Sequence, residues 1–236
     1  PRYVQDLRQT NSHSKPDRYV ISDIKESLNL AARRKPKILS SCDLSGSFWQ
    51  LSLSEDSRPW SAFTLPFMAT QYVWTRTPMG ARGSTASFAK FLHIVFKDCP
   101  EVITYVDDLL TLAQTHDEML ANLQKIFDIL RLNNLKLNLR KCRFGQTELD
   151  WLGFTINEEG IKPEMSKVQK CRELQPPQTA KDIERLLPFM AFNSQCLEKF
   201  QLIAGPLNNL TKKNSAWKSV TKHGPPQKDA LNPFKP

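Results

Sequence analysis

Two adjacent carboxylates, Asp107 and Asp108, have the setting in this chain that points most directly to chemistry. They interrupt the apolar, β-favouring segment 102–112, which predicts a strand–turn–strand hairpin with the acidic pair at its turn. Asp is also an ordinary turn residue, so a polar hairpin tip is the alternative interpretation. However, adjacent carboxylates repel each other by about 1 kcal/mol in water and by severalfold more between apolar strands. A pair kept there favours a bound cation, and hard oxygen ligands suit Mg²⁺, which completes its shell with water and substrate phosphates.

The charge of the chain points to a polyanionic partner. The 236 residues carry a formal charge of +9 with a pI near 9.4, and they suffice for one large or two smaller domains. A basic balance of this size favours nucleic acid. The excess is uneven, because residues 199–236 hold seven Lys against one acidic residue, Asp229, and so supply +6 of the total. This end is either a solvated tail or a binding surface.

Cysteine spacing and hydropathy argue against several other classes of protein. The five Cys are widely spaced with no C-x-x-C pair, and the four His do not cluster. We therefore expect neither a zinc site nor a disulfide framework, and a reducing intracellular setting fits. No apolar run approaches the length of a membrane span and no signal peptide opens the sequence, so no membrane partner is expected.

The sequence around the acidic pair predicts the elements that must position it. Residues 38–43 favour a strand ending at Asp43, which taken alone is an ordinary cap or turn residue. Residues 116–130 carry apolar side chains at helical spacing, which predicts a helix with one buried face. That face comprises Met119, Leu120, Leu123, Ile126, Phe127 and Leu130. Alternating apolar and polar residues predict a further strand at 135–139.

Short helices are expected at both ends of the chain. One covers residues 22–30 with Ser22 as its N-cap. From residue 162 the pattern changes to short helices separated by Pro, at 164–173, 180–192 and 197–210. Pro188 should break the second of them.

Several motifs, in chain order, resemble those of reverse transcriptases from gypsy-type LTR retrotransposons and retroviruses. Asp43 is followed five places later by Phe48 and seven places later by Gln50, as in the first catalytic motif of that family. Tyr105-Val-Asp-Asp108 resembles its active-site hairpin, and Asp150-Trp-Leu-Gly153 resembles its primer grip. The Gly-rich segment 77–88 resembles the motif that supports the template base and the nucleotide, while Arg2, Asp6, Arg8 and Asn11 follow its fingers pattern.

The resemblance implies an α+β fold, a right-hand polymerase with partial fingers, a palm of antiparallel sheet plus helices, and a short helical thumb. The partial fingers and palm would occupy residues 1–161. A thumb-like helical segment would occupy 162–215, and a basic Pro- and Lys-rich tail 216–236.

The resemblance also assigns residue roles. Asp43, Asp107 and Asp108 would be catalytic and would hold two Mg²⁺ ions, with Mn²⁺ as an alternative. Nucleotide binding would involve Arg2, Phe48, Gly80, Arg82 and Lys141, and the primer grip would involve Trp151, Leu152 and Gly153. For Arg2 and Lys141 a solvated surface role is the competing interpretation, and for Phe48 and Trp151 it is core packing.

The implied function is that of an RNA-directed DNA polymerase core of a retroelement, which transfers nucleotides from dNTPs to a primer 3′-OH. Its partners would be an RNA or DNA template with primer, with a second copy or other polyprotein segments as further candidates. Its location would be intracellular, either cytoplasmic, including virus-like particles, or nuclear.

Departures from the family pattern keep other functions open. The earlier fingers strands are absent, and residues 187–197 lack the two Tyr, both Arg and the Gly of the family's thumb motif. A catalytically defective relic that only binds nucleic acid is therefore the main alternative. An unrelated two-metal nuclease would need further Glu, Asp or His near the three carboxylates, and the sequence offers no clear candidate.

Overall fold

The computed structural model describes residues 4–15, 19–173, 177, 179–194 and 199–211. Arg2 and the predicted tail 216–236 lie outside these residues. The chain divides into two compact units, one formed by residues up to Leu152 together with 156–160, the other by 153–155 and the residues from Ile161 onward. Within the described ranges, no helix has both the length and the apolar character needed to cross a bilayer.

The described part of the chain combines short strands with helices of six to seventeen residues. The strands are β1 (Ile38–Asp43), β2 (Phe63–Thr64), β3 (Gln71–Tyr72), β4 (Val102–Tyr105), β5 (Asp108–Ala113), β6 (Arg143–Gln146), β7 (Glu148–Trp151), β8 (Phe154–Asn157) and β9 (Gly160–Pro163). The helices are α1 (Arg8–His13), α2 (Ile24–Arg33), α3 (Ser84–Val95), α4 (His116–Leu132), α5 (Met165–Arg172), α6 (Ala180–Phe192) and α7 (Phe200–Thr211). Two 3-10 segments, Ser47–Gln50 and Glu55–Ser61, follow β1.

The first unit is organised around a four-stranded antiparallel sheet in the order β4–β5–β1–β6. The predicted hairpin is confirmed, since β4 and β5 pair directly with Tyr105 opposite Asp108. The strand predicted at 135–139 is wrong. That segment makes only an isolated bridge, Leu44 to Leu137, and turns through Asn138 before β6 begins. Two smaller sheets have the orders β2–β3 and β7–β8–β9.

Apolar faces of α3 and α4 complete the core of this unit. Phe88 and Leu92 of α3 and Ile126 of α4 are fully buried in one cluster with Leu109 of β5. The predicted face of α4 is confirmed except for Leu120, which is 66% exposed. Thr115 caps α4 by accepting a hydrogen bond from the Glu118 N–H.

Two predictions about helix ends and breaks are wrong. The N-cap of α2 is Asp23, whose carboxylate accepts from the Lys25 N–H, rather than Ser22. In the second unit α6 continues through Pro188. An interior Pro removes one helix hydrogen bond and costs about 3 kcal/mol, but Ile183 of α6 packs in a fully buried position against Leu207 of α7. That packing, together with the Thr179–Asp182 capping box, offsets the loss.

Candidate active site

The turn that joins β4 to β5 carries the acidic pair and is conformationally unusual. It consists of Val106 and Asp107, since Tyr105 and Asp108 are already paired. Val106 has a φ of 53°, a value that a β-branched side chain rarely adopts and that a two-residue hairpin normally assigns to Gly or Asn. Such strain costs on the order of 1–3 kcal/mol and concentrates at functional sites.

Three carboxylates meet where this turn faces the end of β1. Asp43 lies directly opposite Asp108 in the antiparallel register, and directly opposed side chains of like charge destabilise a sheet. The pKa of Asp108 is raised to about 6, first by burial, then by the negative charges of Asp107 and Asp43, with Lys141 acting in the opposite direction. The site therefore holds more negative charge than its own residues can neutralise.

One lysine reaches into this cluster from the segment before β6. The Lys141 ammonium lies 3.1 Å from Asp43 Oδ1. A tight turn places it there, because the Asn138 N–H donates to the Asp43 carbonyl at 2.8 Å and the Lys141 N–H donates to the Asn138 carbonyl at 2.9 Å. Lys141 is thus in direct contact with one of the three carboxylates.

Two cavities share this charged centre. The larger, of about 940 Å³, is lined by Asp43, Asp107, Lys141 and Phe48 among others. The smaller, of about 520 Å³, is lined by Asp43, Asp108 and Lys141, and by the predicted primer-grip residues Trp151 and Leu152. Both have the size of a site for a nucleotide-sized ligand.

Phe48 packs against the core and also lines a cavity, while its predicted nucleotide-binding role stays a prediction. Its ring meets Phe88 edge to face with centroids 5.9 Å apart, and it also lines the larger cavity. The 3-10 segment that carries it starts after Gly46, whose φ of 61° permits the sharp exit from β1.

Gly80 and Arg82 line neither of these two cavities, and both form hydrogen bonds with α1 or the residue after it. The Asn11 amide donates to the Gly80 carbonyl at 2.9 Å and accepts from the Arg82 N–H at 2.8 Å. The Arg82 guanidinium donates to the carbonyls of Asn11 and Ser14. The nucleotide-binding role predicted for these two residues stays a prediction, as does that of Arg2, which is outside the described residues.

The predicted primer grip divides between the two compact units. Trp151 and Leu152 belong to the first, and Gly153 belongs to the second. Trp151 is buried, and its indole N–H has no hydrogen-bond partner among the described residues. Gly153 has a φ of 81°, which favours glycine, and a Cβ there would displace the flexible end of the Lys167 side chain.

The donor set fits a hard divalent cation. Among the described residues, no three or more His, Cys, Asp or Glu side chains are placed so that by themselves they could hold a metal ion. Yet Asp43, Asp107 and Asp108 supply only carboxylate oxygens, and burial together with the negative charges of Asp107 and Asp43 raises the pKa of Asp108. Mg²⁺ is held in this way when water and substrate phosphates supply the remaining ligands.

The structure adds site residues that the motifs did not identify. Arg76 and Lys136 bring two further cations to the lining of the larger cavity. Gln50, which the sequence shows only as part of the first motif, makes one hydrogen bond within its own cavity segment, to Ser45, and two to Lys136 in another cavity segment. Gln50 had a signal in the sequence as part of the first motif, and Arg76 adjoins the Gly-rich segment 77–88, whereas Lys136 belongs to none of the motifs described above.

Comparison with known proteins adds an independent line of information. The family model for reverse transcriptase (RNA-dependent DNA polymerase) matches residues 2–156. The retrovirus-related Pol polyprotein from transposon opus of Drosophila melanogaster is 29% identical over 89% of this chain and 21% of its own length. The Pro-Pol polyprotein of simian foamy virus type 3 (strain LK3) is 32% identical over 74% of this chain and 15% of its own length. The chain thus spans about a fifth or less of these relatives.

Solved structures show the same likeness in three dimensions. The foamy viral protease-reverse transcriptase in complex with dsDNA superposes with a TM-score of 0.81 at 28% identity, covering 95% of this chain and 44% of that one. The same viral enzyme in complex with an RNA/DNA hybrid gives a TM-score of 0.76 at 29% identity, covering 87% and 28%. The predicted α+β polymerase fold is confirmed.

Proposed function

Because the chain belongs to the reverse transcriptase (RNA-dependent DNA polymerase) family, we propose that it is the polymerase core of a retroelement Pol polyprotein and adds nucleotides from dNTPs to a primer 3′-OH. The observation that carries this proposal is the meeting of Asp43, Asp107 and Asp108 beside two cavities. Residues 1–161 would act as partial fingers and palm, and residues 162–215 as a thumb.

The chemistry follows from where the charges lie. Asp43, Asp107 and Asp108 would hold two Mg²⁺ ions, or Mn²⁺ in their place, which when bound lower the pKa of the primer 3′-OH and offset negative charge on the departing pyrophosphate. Positioning and charge stabilisation account for most catalysis in phosphoryl transfer, and no protein nucleophile is required.

Cations around the larger cavity suit the triphosphate of a dNTP. Lys141, Lys136 and Arg76 line it, and the Lys141 ammonium already lies against a carboxylate that would bind the cation. Phe48, fixed against Phe88, would lie beneath the sugar and exclude a ribose 2′-OH by steric contact.

The smaller cavity suits the end of a primer. Trp151 and Leu152 line it together with Asp108. A template–primer duplex is the expected nucleic acid, since the solved relatives are complexes with dsDNA or an RNA/DNA hybrid and this chain carries a formal charge of +9. Further Pol segments or a second copy would be partners in an intracellular setting.

Primer extension tests the proposal. The chain, and a form extended upstream by the adjoining coding sequence, would be given an RNA template, a DNA primer, dNTPs and Mg²⁺. Asp107→Asn should abolish extension while primer–template binding persists, because phosphate contacts from Lys and Arg dominate affinity. Asp98→Asn is a matched control, since the Asp98 side chain is 89% exposed.

The possible results separate the candidate functions. Extension by Asp107→Asn at nearly the wild-type rate would show that the assignment of the three carboxylates is wrong. Salt-sensitive binding without extension by either wild-type form would favour the relic that only binds nucleic acid, which the altered segment 187–197 already suggests.

A further inference from the structure

The side-chain amide of Gln50 connects two segments that both line the larger cavity, residues 43–52 and 133–141. Its Nε2 donates to the carbonyls of Ser45 at 2.7 Å and Lys136 at 3.0 Å. Its Oε1 accepts from the Lys136 N–H at 2.7 Å. Both protons of the amide and its oxygen are therefore engaged, and two of the three bonds reach a residue 86 positions away.

Backbone contacts between these segments are few, so the side chain matters. The segments share the isolated bridge between Leu44 and Leu137, which consists of two hydrogen bonds, from Ser45 N–H to Lys136 carbonyl and from Asn138 N–H to Asp43 carbonyl, each 2.8 Å. Gln50 extends this short ladder by binding both backbone groups of Lys136. The Gln50 side chain thus forms the kind of paired hydrogen bonds that the backbone of a neighbouring strand residue would form.

Gln50 is also the last residue of the 3-10 segment that carries Phe48. Its carbonyl accepts from the Arg76 guanidinium at 3.1 Å. The position of Phe48 is thus fixed on one side by the Phe88 ring and at the end of its segment by Gln50. Loss of the amide would leave the ring contact, the Arg76 contact and the hydrogen bond from Thr77 N–H to the Leu51 carbonyl, but it would remove the connection of this segment to Lys136.

We infer that Gln50 is a positioning residue that sets the gap between Phe48 and the Lys136 segment, and through that gap the preference for deoxyribose over ribose. This inference rests on the proposed polymerase function. Steric exclusion of a ribose 2′-OH depends on the exact position of the Phe48 ring. A displacement of one ångström in a positioned group costs about a hundredfold in rate. A smaller shift of Phe48 should therefore reduce discrimination on the order of tenfold.

The test compares Gln50→Ala with Gln124→Ala, whose amide likewise makes two side-chain hydrogen bonds but on the exposed surface of α4, to Asp128. The first readout is hydrogen exchange of the Lys136 amide, which donates to Gln50. Gln50→Ala should lose protection there and keep it in β5 and α4, which shows that the fold is retained.

The second readout is the ratio of kcat/KM for a dNTP to that for the matching rNTP. This ratio is independent of the fraction of active enzyme, so a loss of folded protein alone would leave it unchanged. Phe48→Ala serves as the reference. If Gln50 acts through Phe48, the double variant should discriminate no worse than Phe48→Ala alone, a non-additive result expected of coupled residues.

Each result separates the inference from the function on which it rests. An unchanged ratio in Gln50→Ala, or additive losses in the double variant, would overturn the positioning role even if extension proceeds. Quenching of tryptophan fluorescence by dATP and ATP provides a readout without turnover, since Trp49 adjoins Phe48. A wild-type chain that binds dATP in preference to ATP but extends no primer would contradict only the proposed function, and equal binding of both by a wild type that extends no primer would overturn both.

Discussion

Replacing Asp108 with Asn should stabilise the metal-free protein at neutral pH. The pKa of Asp108 is raised from 3.8 to about 6, chiefly by burial and then by Asp107 and Asp43. When the pKa of a carboxyl is higher in the folded than in the unfolded state, the free energy of unfolding falls as the pH rises from the unfolded pKa to the folded pKa. The penalty is therefore absent near pH 4 and complete above pH 6, where the folded protein must hold the ionised group.

The magnitude follows from the shift. Two pKa units correspond to about 3 kcal/mol, at about 1.4 kcal/mol per unit. Solvent that reaches the partly exposed site screens this interaction, so we expect Asp108→Asn to raise the free energy of unfolding by about 1–2 kcal/mol at pH 7.5. The amide keeps the shape of the side chain and removes its charge.

Urea unfolding at pH 4 and pH 7.5, with EDTA present, provides the measurement. Asp98→Asn, on the exposed surface, should change stability by less than about 0.5 kcal/mol at both pH values. Mg²⁺ should stabilise the wild type more than Asp108→Asn, because a cation bound to the folded state adds to its stability.

Two results would refute this reasoning. One is a variant less stable than the wild type at pH 7.5, which would mean that the Lys141 contact outweighs the repulsion. The other is an equal gain at pH 4 and pH 7.5, which would trace the effect to packing rather than to charge.

Three further predictions concern stability and reactivity. Gly153→Ala should destabilise the second unit by about 1–2 kcal/mol, because of the positive φ at this position and the displacement of Lys167. The control Gly205→Ala lies in a helix with open space around it and should stabilise the protein by up to about 1 kcal/mol. Thermal unfolding measures both effects. Pro188→Ala should stabilise by about 1–3 kcal/mol, and a loss of stability by urea unfolding would show that the ring packs favourably in α6. Cys42, whose pKa burial raises to about 12, should resist alkylation at pH 8 until the protein unfolds, as followed by mass spectrometry; rapid labelling in the native state would contradict its burial.

The sequence predicted the parts of the site that depend on local pattern. The hairpin around Asp107 and Asp108 followed from two β-favouring runs and a turn, and the structure confirms it. The strand ending at Asp43 followed likewise, although its place opposite Asp108 depended on the family resemblance, since pairing between distant strands has no local signal.

Features that depend on tertiary contact escaped prediction. Residues 135–139 alternate like a strand, yet hydrogen bonds to Ser45, Gln50 and Asp43 make them a connecting turn. Pro188 should have ended α6, but packing against α7 outweighs its local cost. The role of Gln50 depends on a partner 86 residues away, which no single-sequence pattern reveals.

The alternation of side chains in β1 restricts how this chain can be recombined with its relatives. Cys42 faces the buried core while its neighbour Asp43 faces Asp108, so deleting one residue within Ile38–Asp43 would exchange their faces and bury a carboxylate. Length changes should instead be tolerated between β2 and β3, where Phe67 is fully exposed. Chimeras joined in that loop would keep the register of the three carboxylates, whereas chimeras joined within β1 would depend on exact alignment at about 30% identity.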